Sequence, residues 1–321
     1  MKKGLLITAL VILGIGAAGV GIGLALTKGN FKAFDRHEYV TNEVEFEGEI
    51  TNLKIDEHVS ALEIVETEET KTKIVLKEIA DHKHTVTLNE GTLSISEADW
   101  NLGFFDWFKY GPILNEVKTT VYLPVKEYNE WKISDNTGAI KIDGAYNVTN
   151  FKAEVNTGAA MVKDVIAKDA IVKCDTGSLM MSGGKYDTLT VENNTGSISI
   201  SDLTSAYLSV SEDTGSLKIS KISGCNTLKT ENDTGSTRIE DVVATNLIDS
   251  ESDTGSITLV ACDAPTINLR NGTGSIRAEL LSGKSYNVKS STGSINVPDN
   301  YPEGGSLTAK TSTGSIRITV K

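Results

Sequence analysis

The sequence predicts an all-β fold, a single-domain parallel β-solenoid (β-helix) with about 19–20 residues per coil, behind an N-terminal transmembrane helix. Three observations support this prediction: a Thr-Gly pair that returns ten times, apolar residues that alternate around each pair, and an uncharged apolar segment near the N-terminus. Successive glycines are 19–21 residues apart, and such a period is typical of solenoids, in which each repeat forms one coil. The ten glycines are Gly138, Gly158, Gly177, Gly196, Gly215, Gly235, Gly255, Gly274, Gly293 and Gly314.

An alternation of apolar and polar residues predicts two strands in each coil. In one repeat, Leu189 and Val191 precede the Thr-Gly pair. Ile198 and Ile200 follow it. A period of two places one face of a strand in the core and the other in solvent. A third inward position is expected eight residues after the threonine, and in seven coils it is Ala145, Val165, Leu203, Ile222, Val242, Cys262 and Leu281.

The glycine of each pair predicts a sharp bend at the same place in every coil. Glycine is favoured where φ is positive or where two backbones lie close together. The residue before each threonine is Asn, Asp, Ser or, once, Gly. The first three commonly accept hydrogen bonds from backbone N–H groups of their own turn. We therefore expect these residues to cap the corner of their own coil.

Residues 4–26 predict a membrane anchor. They are 23 consecutive residues without a charge, preceded by Lys2 and Lys3, and a helix of that length spans about 35 Å, enough to cross the hydrocarbon core. A cleaved signal peptide is the alternative, but the run is long for one and no small-x-small cleavage site follows it. We expect a single-pass protein of the cell membrane, with residues 1–3 as a short flank, 27–43 as a tether, and the bulk of the chain outside the cytoplasm.

The part between the tether and the regular repeats is expected to be irregular. Residues 44–124 contain strand-like runs without the Thr-Gly corner, which predicts irregular first coils or a capping sheet. An aromatic insert at residues 100–113 interrupts them, and its rings either contact a partner or cover the end of the core. Regular coils follow over residues 125–321, and the chain ends on a strand, which predicts an open edge there. The aromatic residues of the insert are Trp100, Phe104, Phe105, Trp107, Phe108 and Tyr110.

Three features together resemble the putative-adhesin family of β-strand-repeat proteins from Gram-positive bacteria: the apolar N-terminus, the strand Val121-Tyr122-Leu123-Pro124 and the iterated Thr-Gly-Ser coils. The resemblance covers about residues 44–321, although Thr-Gly-Ser stands here where relatives often carry Ser-Gly-Asp. It implies a membrane-anchored domain of unknown function, in some members encoded with cell-envelope-stress response systems. It brings no catalytic residues.

Charge and composition argue against several kinds of site. The net charge of −12 disfavours binding of nucleic acid and broad docking on anionic lipid. The three cysteines lie in different repeats, so we expect core or turn residues rather than a disulfide framework or a metal site. His82 and His84 share one face of a predicted strand, but two imidazoles alone do not make a metal site. We therefore expect no catalytic residues, no cofactor and no metal.

Three other functions fit the sequence less well than a binding role does. The string Asp-Thr-Gly-Ser occurs in four repeats and matches the aspartic proteases, but that chemistry needs two carboxylates that face each other, whereas a solenoid places equivalent residues in a row. A polysaccharide-active β-helix enzyme would need clustered carboxylates on long loops. A polymerising cytoplasmic β-helix scaffold is disfavoured by the apolar N-terminus. The sequence thus favours a non-enzymatic, adhesin-like binding or scaffold protein, whose partners are the membrane through its own anchor and an envelope polymer, an envelope protein or a second copy.

Overall fold

The computed structural model describes residues 35, 37–98 and 117–321, and within them the predicted all-β parallel solenoid is confirmed. Twenty strands and one short 3-10 turn, Pro302–Gly304, make up the secondary structure of this part of the chain. No helix in it is long and apolar enough to cross a membrane. The predicted anchor, residues 4–26, lies outside the described residues.

Each regular coil is a long strand that bends at its Thr-Gly corner and continues through a turn of two to six residues into the next coil. Consecutive coils pair in parallel and in register, so that glycine lies beside glycine, as Gly177 does beside Gly196. Equivalent residues therefore form columns with a spacing of about 4.8 Å. These strands are β8 (Glu127–Asp143), β9 (Asn147–Lys163), β10 (Ile166–Ser182), β11 (Lys185–Ser201), β12 (Thr204–Ser220), β13 (Thr227–Glu240) and β14 (Leu247–Cys262).

The predicted inward columns form the core along most of the solenoid. Three positions expected to point inward are exposed instead. At Ala145 the adjacent Tyr146 fills the interior. Leu281 lies where the chain leaves its coil to cross to the end of the solenoid, and Ile295 belongs to the outermost coil, which has a neighbour on one side only.

A close contact between backbones explains the glycine column. In nine of the ten corners the glycine has φ between 134° and 149°, a region that other L-residues rarely adopt. A Cβ at any of these nine positions would lie 1.6–2.1 Å from the carbonyl oxygen of the glycine in a neighbouring coil. Gly138 differs, because its φ is not positive and a Cβ there would first meet the side chain of Asp135.

The order of coils departs from the order of the chain at the C-terminal end. β15 (Thr266–Thr273) and β16 (Ile276–Leu280) stack on β14. The next coil outward is the last of the chain, β19 (Ser306–Thr313) and β20 (Ile316–Val320), and β17 (Ser285–Thr292) with β18 (Ile295–Asn296) lies outermost. The open edge predicted for the last strand therefore belongs to β17 and β18, because the chain crosses over and returns.

The N-terminal end shows the same kind of crossing. β8 stacks on β2 (Asn52–Glu57) and β3 (Ala61–Thr67), and the next coil outward is β6 (Thr92–Ser96) with β7 (Lys118–Pro124). Three antiparallel strands then close this end: β4 (Thr72–Ile79), β5 (Thr85–Asn89) and β1 (Tyr39–Phe46). The reversal of direction covers the edge of the parallel stack. The aromatic insert, residues 100–113, lies in the connection from β6 to β7 and outside the described residues.

We predict that Gly215→Ala strongly destabilises the solenoid. The new Cβ would lie 1.9 Å from the Gly196 carbonyl oxygen and 2.7 Å from Glu212 Oε1. Overlap with backbone and a strained φ should lower the free energy of unfolding by at least about 2 kcal/mol. Thermal unfolding followed by circular dichroism measures the loss.

Gly138→Ala is the matched control for this substitution. Its Cβ would lie 2.5 Å from Asp135 Oδ2, a side-chain atom that can move, and the backbone is not in the left-handed region. The loss of stability should therefore be clearly smaller than for Gly215→Ala. Equal losses at the two positions would contradict the close-contact explanation.

Candidate functional site

The residue before each threonine forms an exposed row along the corner edge. Its hydrogen bonds run between coils: Asn156 Nδ2 donates to Asn136 Oδ1 at 2.8 Å, and Asn194 Nδ2 donates to Asp175 Oδ1 at 3.3 Å. The prediction that these side chains cap their own turns was therefore wrong. The strand continues through the corner and directs them outward, so that the nearest partner is the same position one coil away.

A polar column, which the sequence analysis missed, lies inside the same corner. Two residues before each threonine the side chain points inward, and at six of these ten positions a side-chain donor reaches the glycine carbonyl oxygen of a neighbouring coil. Asn232 Nδ2 lies 3.3 Å from Gly215 O, and Asn271 Nδ2 lies 3.1 Å from Gly255 O. The buried residues of this interior corner column are Asp135, Val155, Cys174, Asn193, Glu212, Asn232, Ser252, Asn271 and Thr311.

Glu212 places a carboxyl group in the middle of the interior corner column, where it is 1% exposed. Asn193 Nδ2 donates to Glu212 Oε2 at 2.9 Å, while Glu212 Oε1 is buried and has no hydrogen-bond partner among the residues that the structure describes. Burial raises the pKa of Glu212 to about 7, against the lowering effect of the hydrogen bonds from Asn193 and the Gly196 N–H. The group is therefore an interior acid whose ionisation opposes folding.

The interior corner column continues into the N-terminal end of the solenoid. Glu57 on β2 pairs in register with Asp135 on β8. On the other side of β2, Asp56 pairs with Ser96 on β6, and Glu97 is the next residue. His84 immediately precedes β5, which pairs with β6 in the antiparallel direction. We call Glu57, Glu78, His84, Glu97 and Asp135 the N-terminal cluster. The side chains of all five are buried.

Hydrogen bonds hold the N-terminal cluster together. His84 Nε2 lies 2.8 Å from Glu57 Oε2, and His84 Nδ1 lies 2.8 Å from Glu78 Oε2. Glu97 Oε2 accepts hydrogen bonds from three consecutive backbone N–H groups, those of residues 58–60, at 2.7–3.2 Å. Residues 58–60 form the corner of the β2–β3 coil, at the position that the Thr-Gly pair occupies in the later coils.

Burial and mutual repulsion shift the ionisation of the N-terminal cluster. Burial raises the pKa of Glu57. It also raises the pKa of Asp135 to about 8, with a further contribution from the charge of Glu57. Burial acts to lower the pKa of His84, but hydrogen bonds to Glu57 and Glu78 outweigh it and raise that pKa to about 9. Burial therefore favours the neutral forms of Glu57 and Asp135, whereas the hydrogen bonds favour the protonated form of His84.

The residues singled out from the sequence have different places in the structure. The ten glycines lie together in the corner column, as predicted from their period. His84 joins the N-terminal cluster, whereas His82 lies in the β4–β5 turn and donates its N–H to the Ile79 carbonyl. Cys174, Cys225 and Cys262 are free and buried, as expected. The six aromatic residues of the insert lie outside the described residues.

A shallow groove of about 480 Å³ follows the corner edge near the N-terminal end. It crosses from the β2–β3 coil to β10, and its wall brings together carboxylate, amide, imidazole and ammonium groups. Glu57 and Asp135 of the N-terminal cluster form part of its floor. The other lining residues include Asp56, His58, Ser134, Asn136, Glu154, Asn156, Lys173 and Asp175.

Comparisons with known proteins identify a family and distant structural likenesses. A family model described as Toastrack DUF4097 matches residues 50–225 and again residues 207–321. No curated protein matches the sequence.

Three crystal structures share features of the fold. A putative adhesin from Bacteroides fragilis is 11% identical with a TM-score of 0.41, over 88% of this chain and 97% of that one. A putative adhesin from Parabacteroides distasonis is 8% identical with a TM-score of 0.45, over 88% and 97%. A putative lipid binding protein from the same species is 13% identical with a TM-score of 0.40, over 87% and 96%.

We predict that Glu212→Gln stabilises the protein at high pH and not at low pH. The carboxyl pKa rises from 4.5 in the unfolded chain to about 7 in the fold, so the folded state binds more protons in this window. The stability of the natural protein should therefore fall between about pH 4.5 and pH 7 and stay lower above it. Glutamine removes this dependence, with a gain on the order of 2–3 kcal/mol at pH 8.

Thermal unfolding between pH 5 and pH 8 measures the Glu212→Gln effect. The control is Glu231→Gln, which changes an exposed glutamate on the neighbouring strand β13. We expect the difference in unfolding temperature between the Glu212→Gln variant and the natural protein to grow as the pH rises. A difference that stays constant with pH would contradict the raised pKa of Glu212.

Proposed function

Because the chain belongs to the Toastrack DUF4097 family, we propose that it is a non-enzymatic binding or scaffold protein of the cell envelope. The anchor at residues 4–26 would hold it in the membrane, with the solenoid outside the cytoplasm. The observation that carries the proposal is the uninterrupted in-register stack of strands, which gives the solenoid long flat faces of exposed side chains. Association with envelope-stress signalling, which the family resemblance implies, stays a prediction.

The exposed chemistry of the regular coils supports a non-enzymatic role. Asp213, Asp233 and Asp253 follow one another along the corner edge, so they do not face each other across a cleft as a paired acid and base would. The carboxyl groups of Glu212 and Asp135, whose pKa values are raised, lie inside the solenoid. The turns between coils β8 to β14 have two to six residues, too short to enclose a substrate.

The groove at the corner edge is the part of the described surface that best suits an extended polar ligand. Amide and carboxylate groups from four coils lie along it, and Lys173 adds a cation near its far end. Hydroxyl-rich envelope polymers offer the matching donors and acceptors at regular intervals. Glu97 and Val117, which flank the segment that carries the aromatic insert, both lie at this end of the solenoid.

We predict that Trp107→Ala with Phe108→Ala weakens binding to isolated bacterial cell walls at least about fivefold, since aromatic residues dominate interface energies. Co-sedimentation of the purified full chain with the walls measures the effect. Tyr207→Ala is the matched control, because this aromatic side chain is 51% exposed on β12, in the middle of the regular coils.

Thermal unfolding of the same variants separates a contact from a structural role. Weaker sedimentation with unchanged unfolding supports the binding proposal. An unchanged sedimentation, or a loss that Tyr207→Ala reproduces equally, would contradict it.

We also predict that protease added to intact, wall-stripped cells digests the solenoid. The apolar segment at residues 4–26 is long enough to keep the chain in the membrane, and the domain is expected on the outer side. Immunoblotting follows the loss of the solenoid, and a cytoplasmic protein that stays intact is the control. If the solenoid is fully protected in intact cells but is digested after detergent is added, it lies in the cytoplasm, and the proposed orientation is wrong.

A further inference from the structure

The N-terminal cluster has the composition of a metal site. Glu57, His84 and Glu97 each present one ligand atom within 4.8 Å of the other two. They come from three successive layers at the end of the solenoid: the β2–β3 coil, the β6–β7 coil and the antiparallel cap. We propose that these three residues bind one divalent transition-metal ion of the zinc class, a site that goes beyond the proposed binding role.

The orientation of His84 supports the proposal. Its Nδ1 lies 2.8 Å from Glu78 Oε2 and its Nε2 lies 2.8 Å from Glu57 Oε2. When Nδ1–H donates to Glu78, the lone pair of Nε2 faces Glu57 Oε2, with the Thr119 hydroxyl 3.2 Å away. A cation at this position would be shared by the imidazole and the carboxylate. A carboxylate that holds the second nitrogen of a histidine is the usual support of a metal ligand.

Unsatisfied oxygen atoms are an independent sign of a missing ligand. Glu57 is 1% exposed and its Oε1 has no hydrogen-bond partner within the described residues. Asp135 is 2% exposed, pairs in register with Glu57, and has both carboxylate oxygens unpartnered in the same part of the chain. Buried carboxylate oxygens are normally hydrogen-bonded or bound to a cation. Asp135 lies outside the group of three ligand atoms, so its oxygens are placed to accept hydrogen bonds from a water on the ion rather than to bind the ion directly.

The donor set selects the class of metal. One imidazole nitrogen with carboxylate oxygens suits Zn²⁺ and its first-row neighbours, whereas Ca²⁺ and Mg²⁺ prefer oxygen ligands alone. The free cysteines are buried elsewhere, in coils of the regular solenoid or the turns that join them. The groove over Glu57 and Asp135 gives the ion a route from solvent.

The test is a calorimetric titration of the purified, chelator-stripped full chain in detergent with ZnCl₂, repeated with MnCl₂ and CaCl₂. We expect one zinc ion per chain, tighter binding of zinc than of calcium, and a higher thermal unfolding temperature with zinc. Glu57→Gln and His84→Gln should abolish binding, and Glu78→Gln should weaken it about 10–100-fold. Glu212→Gln is the matched control, because it changes a buried carboxyl group of the same column in a distant coil and should keep full affinity.

Two results would overturn the proposal: no stoichiometric zinc binding by the natural chain, or equal binding by the Glu57→Gln and His84→Gln variants. Circular dichroism shows whether those variants fold. If they do not, the absorption spectrum of Co²⁺ on the natural chain decides. Co²⁺ absorption bands typical of nitrogen and oxygen ligands support the site. Thiolate-to-Co²⁺ charge-transfer bands would assign the ion to cysteine and contradict it.

Discussion

The rest of the structure depends on the contact between neighbouring backbones at the Thr-Gly corner. There the glycine carbonyl oxygen of one coil occupies the space that a Cβ of the next coil would need. Glycine alone lets two coils approach to pairing distance at this bend. Once the corners are aligned, the strands on both sides pair in register and every other residue falls into a column. The period of the sequence is the result of one steric requirement that is repeated in each coil.

The same alignment gathers polar groups inside the solenoid. In its middle the interior corner column holds Asn, Ser and Cys beside the carboxyl group of Glu212, and donors such as Asn232 Nδ2 satisfy glycine carbonyl oxygens. Toward the N-terminal end the column becomes acidic and meets the imidazole of His84. Buried carboxylates need protons, donors or a cation, so this end carries chemistry that the exposed faces do not need for binding. The proposed binding role thus concerns the outer surface alone, whereas the polar groups of the interior column compensate buried charge.

The repeat allowed the fold and the corner to be predicted, because the same signal occurs ten times. The order of the last coils could not be predicted, since β17–β18 and β19–β20 fit the repeat equally well and only non-local packing decides which lies inside. The N-terminal cluster was missed for a similar reason. Glu57, His84 and Glu97 come from separate segments, and only the reversal of chain direction at β4 and β5 brings them together. The sequence did contain a signal for Asp135 and Glu212. The apolar residues that point inward lie six and four residues before each threonine, and the same alternation directs the residue two before the threonine inward as well.

Amide hydrogen exchange, read by mass spectrometry, tests most directly whether stacking between coils sets the stability of each coil. In a stack of this kind, protection follows the number of neighbouring coils rather than the distance from the chain terminus. The account predicts slower exchange in β19 and β20, which have coils on both sides, than in β17 and β18, which have one on a single side. Slower exchange in β17 and β18, or protection that declines steadily toward the last residue, would contradict it.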